Sequence, residues 1–322
     1  MEKWIPGHLT AAYRPPSQGN WKGRMTTATQ GAQYWYQHVV LQDWSEGPAS
    51  GGVGIIGYAC EEGVRRNQGR LGAAAGPAVL RERMARLAFH HDGKTITDYG
   101  DVLCVGEDME AAQQQLALMV AAVIEAGGMP IVLGGGHDLA YGHYRGVRAA
   151  AGEQKIGIIN FDAHFDLRPV TGLPNSGTPF NQILQEDLVD YLVLGIQQPA
   201  NTKELFAIAA ENGVEYMLAQ HCRTYQLPTI IQCLDRFFDR NDQVYLSIDL
   251  DGFSSAYAPG VSAPSPLGFS PAFVMAVLDY LMASGKVVSV DLAEMNPTYD
   301  IDGHTARLGA GLVDHLLGQL PG

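Results

Sequence analysis

Thiols are scarce and scattered: Cys60, Cys104, Cys222 and Cys233 are the four cysteines in 322 residues, and no two share a Cys-x-x-Cys spacing. That excludes a thiolate zinc site or dithiol redox motif, and four is sparse for a disulfide framework, so buried free thiols are expected. Positive charge is also short. Lys and Arg number 21 against 34 Asp and Glu, a formal net charge of -13, and no Lys/Arg-rich run offsets it. A nucleic-acid footprint or an anionic membrane surface is therefore disfavoured, which leaves a small molecule as the expected partner. The longest apolar run, residues 116–124, is too short to span a bilayer. Residues 1–7 show no charged-then-apolar leader pattern, so a cytoplasmic location is expected.

What is present is ample apolar material, 46% of the chain, enough for a substantial core in one domain over residues 1–322. Residues 1–50 are rich in Gln, Trp, Tyr, Gly and Pro without a sustained period and read as an irregular wrap. From residue 54 the pattern is regular. Strand-like runs are expected at 54–58, 101–105, 129–133, 156–161, 191–196, 214–218, 244–248 and 287–292. Helical patterns fall at 77–88, 109–126, 202–212, 228–239 and 271–284. Such alternation predicts an α/β fold, a mostly parallel sheet of about eight strands covered by helices on both faces.

Three short clusters follow apolar, β-branched stretches: Gly-Gly-Gly-His137-Asp138, Asp162-Ala-His164-Phe-Asp166 and Ser247-Ile-Asp249-Leu-Asp251. Each should sit where a buried parallel strand ends, where open α/β sheets place their chemistry. In extended backbone, residues two apart point the same way, so Asp162, His164 and Asp166 can converge, and so can Asp249 and Asp251. Four carboxylates at one rim would repel and raise one another's pKa unless cations neutralised them. Oxygen and imidazole donors without thiolate suit Mn²⁺ ahead of Zn²⁺, with Mg²⁺ disfavoured by the histidines. Six ligands for two ions would leave room for a bridging water, a hydroxide source at neutral pH. The glycine run before His137 lacks the spacing of a phosphate loop and reads as a tight turn.

These motifs, in this order and spacing, resemble the ureohydrolase family of arginase, agmatinase and formimidoylglutamase. The resemblance runs from about Gly54 to the C-terminus and takes in Asn67-Gln-Gly-Arg70 and Glu294-Met-Asn-Pro297. It implies an arginase-like three-layer α/β/α sandwich, a homo-oligomer and two Mn²⁺ per subunit. It further implies that His137, Asp162, Asp166 and Asp249 hold one ion and Asp162, His164, Asp249 and Asp251 the other. Glu294 would bind the amidinium or guanidinium of the substrate, and Asp166 is a candidate to accept a hydrogen bond from the hydroxide.

Departures from the pattern point to the substrate. Where arginases carry a histidine that shuttles protons, this chain reads Asn175-Ser176-Gly177-Thr178-Pro179-Phe180, with no imidazole. That stretch, with Glu61-Glu62-Gly63-Val64-Arg65-Arg66-Asn67 and His164-Phe-Asp-Leu-Arg168, is similar to the formimidoylglutamases within the family. They hydrolyse N-formimidoyl-L-glutamate to L-glutamate and formamide in histidine degradation. Arg168, two residues beyond Asp166, could clamp a substrate carboxylate or make an ordinary ion pair, while Arg65, Arg66 and Ser176 are further candidates for substrate contact. Ser254 stands where many relatives have Asp, and His304 reads as structural. The expected activity is hydrolysis of an acidic linear amidine. The alternatives are another ureohydrolase, a guanidino-acid hydrolase or agmatinase, and a metal-binding assembly module without turnover.

Overall fold

The computed structural model describes residues 11–27, 29 and 31–320, so the absent leader pattern read at residues 1–7 lies outside the described residues. Ten strands form one sheet: β1 (Ala12–Arg14), β2 (Val40–Leu41), β3 (Val53–Ala59), β4 (Ile96–Leu103), β5 (Met129–Leu133), β6 (Ile156–Phe161), β7 (Asp190–Ile196), β8 (Glu215–Leu218), β9 (Gln243–Asp249) and β10 (Val287–Ala293). Their order is β1-β4-β3-β5-β10-β9-β6-β7-β8, with β2 also on β4. Among the described residues, only β1 is antiparallel to its neighbouring strand; the other strand pairings are parallel.

Eight of these strands are those expected from the sequence, and the wrap over residues 1–50 contributes the other two. That corrects the reading of this segment as wholly irregular. The two edge strands have three and two residues, and the first is followed by Pro15 and Pro16, too short for a period to show. β4 also begins five residues earlier than expected. Asp101 was expected to open this strand, and Asp98 lies in the added part; both are buried. Arg81, itself buried, donates to both Asp98 oxygens, at 2.8 and 2.7 Å, and to Asp101 at 2.5 Å. Trp21 Nε1 and the Arg14 guanidinium complete the carboxylates' pairing and pin the N-terminal wrap to the sheet edge.

Adjacent residues of each strand alternate between two apolar layers. Ile55, Ile131, Leu133, Ile159 and Leu194 face one layer, Ile56, Val132, Ile158 and Val193 the other. The first is closed by α2 (Gly76–Met84), α7 (Leu227–Arg240), α8 (Pro271–Ala283) and α9 (His304–Gln319); the second by α3 (Met109–Glu125), α4 (Leu139–Ala150), α5 (Pro179–Glu186) and α6 (Lys203–Glu211). The result is a three-layer α/β/α sandwich. One short helix, α1 (Glu62–Arg66), lies outside this frame, just after β3.

α4 was not expected, because Gly142 and Gly146 interrupt its helical pattern. The structure shows why a glycine is there: a Cβ on Gly142 would sit 2.6 Å from the Gln113 carbonyl of α3. The two helices pack too closely for any larger side chain. Along the sheet, β9 and β6 are neighbours, yet the connection from β9 returns to β10 on one side and that from β6 runs on to β7 on the other, so the two leave in opposite directions. The C-terminal ends of these strands, with those of β5 and β10, surround the crevice such a switch in order opens.

Candidate metal centre

Four strand ends supply the site. After β5 the chain turns through Gly134–Gly136, where Gly136 N donates to the Cys60 carbonyl at 3.0 Å. A Cβ on Gly135 would lie 1.9 Å from that carbonyl oxygen, so the turn that presents His137 demands glycine by close approach. β6 runs directly into Asp162, β9 ends on Asp249, and β10 is followed by Glu294. Asp166 and Glu294 both hold left-handed backbone, with φ of +50° and +64°, conformations that cost energy in residues other than glycine and gather at functional sites.

The ligand atoms converge as the spacing predicts. His137 Nδ1 lies 3.2 Å from Asp162 Oδ2, 3.1 Å from Asp166 Oδ2 and 2.9 Å from Asp249 Oδ2. His164 Nδ1 lies 3.4 Å from Asp162 Oδ1 and 3.2 Å from Asp251 Oδ2. Two groups result, each compact enough to hold an ion: His137, Asp162, Asp166 and Asp249, and beside it Asp162, His164 and Asp251. Asp162 belongs to both, while Asp249 stands with the first alone. Asp138 turns away from the cluster, its Oδ2 accepting the Tyr58 hydroxyl at 2.7 Å.

The donor set fits divalent metal on the structure's own terms. His137 Nδ1, although ringed by carboxylate oxygens, has no hydrogen-bond partner, and Asp251 Oδ1 is likewise buried without one. His137 Nε2 faces Ser247 Oγ at 2.9 Å, and Ser247 Oγ donates to Asp291 Oδ1 at 2.7 Å. A hydroxyl that donates to a carboxylate must accept from the imidazole, so Nε2 carries a proton and Nδ1 is the nitrogen left to bind a cation in the cluster. Asp291 is fully buried and also binds His143 Nδ1 at 2.7 Å and the Tyr245 hydroxyl at 2.5 Å.

Electrostatics agree. Burial, with Asp251 and Asp162 beside it, pushes the Asp249 carboxyl well above the usual range. Burial raises Asp251, and burial with the Asp162 charge raises Asp166. Burial alone would lower His137 and His164, but the surrounding carboxylates override it and raise both. Asp162 is lowered: burial opposes its ionisation, and its contacts with His137 and His164 outweigh that. Divalent cations would take the place of the protons that hold these crowded carboxylates and imidazoles together.

Glu294 Oε1 accepts the His137 backbone N–H at 2.9 Å, while Oε2 has no partner. Burial, then Asp251, pushes its pKa up to about 8. Glu294, Arg168, Ser176 and the cluster residues other than Asp162 line one cleft. Phe180, in place of an imidazole, packs edge-on against His137 with centroids 5.3 Å apart. Arg65 and Arg66 do not line this cleft. Both donate to Glu62, and they reach on to Glu107 and Glu110 respectively. The expected second clamp is thereby corrected to an ion-pair frame behind the cleft wall.

Residues 52–318 match the model of the Arginase family. The chain belongs to that family. Among its relatives, a formimidoylglutamase of Chromobacterium violaceum is 46% identical over 298 residues, covering 91% of this chain and 95% of the relative. That of Geobacillus thermodenitrificans is 43% identical over 304 residues, covering 92% and 94%. A formiminoglutamase of Trypanosoma cruzi, solved with Mn²⁺, superposes with a TM-score of 0.75 at 26% identity, covering 84% of this chain and 95% of that one. The fold is also that of Bacillus subtilis formimidoylglutamase, at a TM-score of 0.80 and 23% identity over 88% and 90% of the two chains.

The ligand clusters and Glu294 were legible as motifs. Ser247 was visible only as part of a motif, and Asp291, to which it donates, was missed together with the Asp291 partners Tyr245 and His143. A buried Asp inside the apolar run 287–292 is the signal that could have found them.

Proposed function

We propose that this chain hydrolyses an acidic linear amidine, N-formimidoyl-L-glutamate, to L-glutamate and formamide. The observation that carries this reading is the exposed Arg168 in the same cleft as the carboxylates Asp166, Asp249, Asp251 and Glu294. The cluster meets the cationic end of a substrate; the guanidinium meets an anionic one. Relatives that share over nine-tenths of the chain are named formimidoylglutamases, which supports the same choice.

Two Mn²⁺ ions held by His137, Asp162, His164, Asp166, Asp249 and Asp251 would supply Lewis-acid activation of a water molecule. The remaining work falls to side chains. Glu294 Oε2, unpartnered and aimed into the cleft, pairs with the N–C–N cation and fixes its carbon over the cluster, while the His137 N–H anchors the other oxygen. An amidinium beside it restores the ionised carboxylate that burial alone disfavours. Asp166, the most exposed carboxylate of its group, accepts a hydrogen bond from the attacking water. Water adds its oxygen to the formimidoyl carbon, the bond to the glutamate nitrogen breaks, and that nitrogen leaves as an ammonium group with the two protons the water gives up, while the carbon and its remaining nitrogen become formamide. Arg168 and Ser176 hold a carboxylate of the glutamate. The family resemblance extends the reading to a homo-oligomer acting in the cytoplasm.

The test is a panel of N-formimidoyl-L-glutamate, an acidic guanidino compound and agmatine, offered to Mn²⁺-loaded protein with formamide and urea both measured. Formamide from the first is expected; urea from agmatine without formamide sinks the proposal.

A further inference from the structure

Asn67 closes α1, its N–H donating to the Gly63 carbonyl at 3.0 Å, and its side chain faces the cleft. The amide is divided between two neighbours. Its Nδ2 donates to Ser176 Oγ at 3.1 Å, and its Oδ1 accepts from Arg168 Nη1 at 2.5 Å. A guanidinium has no acceptor, so the orientation of the amide is fixed by chemistry. Two consequences follow for a ligand. Ser176 Oγ, by accepting from Asn67, keeps its own O–H to donate, and this side chain is nearly buried at 8% exposure. Arg168 commits Nη1 to Asn67, which leaves the edge formed by Nε and Nη2 as the bidentate face a carboxylate matches.

The wall that carries these groups is built in advance. Arg168 N donates to the Gly177 carbonyl at 2.9 Å, Ser176 N to the Gly63 carbonyl at 3.1 Å, and Arg66 Nη1 to the Pro174 carbonyl at 3.1 Å. α1, residues 174–177 and Arg168 are thereby tied into one unit before any ligand arrives. Arg168 is exposed, and a long exposed arginine costs rotamer entropy to hold in one place. Asn67 removes most of that cost. It also does so without charge: a carboxylate at the same position would neutralise the permanent cation of the cleft.

From this geometry we infer that Asn67 is a specificity-determining positioning residue, which orients Arg168 and Ser176 as a cradle for a substrate carboxylate. The inference rests on the proposed acidic substrate and adds the residue that enforces it.

The experiment compares kcat/KM for N-formimidoyl-L-glutamate with that for N-butylformamidine, which keeps the amidine and lacks both carboxylates. Mn²⁺-loaded wild type, Asn67→Ala and the near-isosteric Asn67→Asp are measured, with metal content determined for each. The ratio of the two kcat/KM values should fall about tenfold in Asn67→Ala, mostly through KM for the acidic substrate. It should fall further in Asn67→Asp, where the new charge pairs with Arg168 and repels the ligand. A merely structural role would lower both substrates together and leave the ratio unmoved. A wild-type preference for the acidic substrate that survives in both variants overturns this inference alone. A wild type without that preference overturns the proposed function and this inference with it.

Discussion

The Glu294 carboxylate accepts the backbone N–H of His137 at 2.9 Å, so the group proposed to face the substrate and the first residue of the candidate ligand cluster are joined by a direct bond. The bond spans the C-terminal ends of β5 and β10, which pair in the sheet. One Glu294 oxygen is thereby spent on position, and the other is left for binding.

That division makes Glu294→Gln informative. An amide oxygen still accepts from His137, so metal content should hold, while loss of the charge opposite an amidinium should lower kcat by about 10²- to 10³-fold. Metal analysis beside steady-state kinetics checks both. Full activity in the glutamine variant would remove Glu294 from the chemistry.

The chain of hydrogen bonds from His137 through Ser247 to Asp291 predicts a different phenotype. Ser247→Ala leaves the imidazole Nε2–H without its acceptor and the tautomer unenforced, so Mn²⁺ affinity should drop by about 10- to 100-fold. Competition with a chelator of known affinity measures it. An unchanged affinity would mean that packing alone orients the ring.

How much of this was readable beforehand depends on how local each signal is. Asp162, His164 and Asp166 sit two apart just past an apolar run, so their spacing marked them as one cluster, although the strand ends at Phe161 and the left-handed backbone of Asp166 parts it from His164 into the other group. Asp291 takes its meaning from His143 and Tyr245, far away in the chain, and no local pattern announces that. Arg65 and Arg66 were misplaced for a subtler reason. Glu62 precedes them by three and four residues, the spacing of a helical ion pair, but that signal carries weight only once the short α1 is known to exist. Asn67 stood in a recognised motif, yet its partners Ser176 and Arg168 come from a loop more than a hundred residues later.

The buried Arg81–Asp98 pair holds the sheet edge, with side-chain exposures of 1% and 0%. Removing Arg81 leaves the Asp98 carboxylate away from water without a cationic partner, so Arg81→Met should destabilise the fold by about 3–5 kcal/mol. Urea unfolding of the variant checks this; a loss under about 1 kcal/mol would show that water reaches Asp98.

Acid should loosen the frame behind the cleft. The Arg65 contact, helped by Arg66, holds the Glu62 carboxyl below its ordinary value of 4.5 against the opposing effect of burial. A depressed carboxylate contributes stability that is present above the ordinary value and lost as pH falls through the lower, folded-state one. Wild type should therefore exceed Glu62→Gln in unfolding free energy at neutral pH, and the gap should close below about pH 4.5. A gap independent of pH would contradict the ion-pair frame.

The central claim is that two clustered ions and an arginine-lined mouth together hydrolyse an acidic amidine. Titrating metal-free protein with Mn²⁺ while measuring formamide and glutamate from N-formimidoyl-L-glutamate tests it most directly. The account predicts equimolar products whose rate rises with added metal and levels off at about two ions per chain. Formamide release that persists after complete metal removal, or no formamide at full loading, would contradict it.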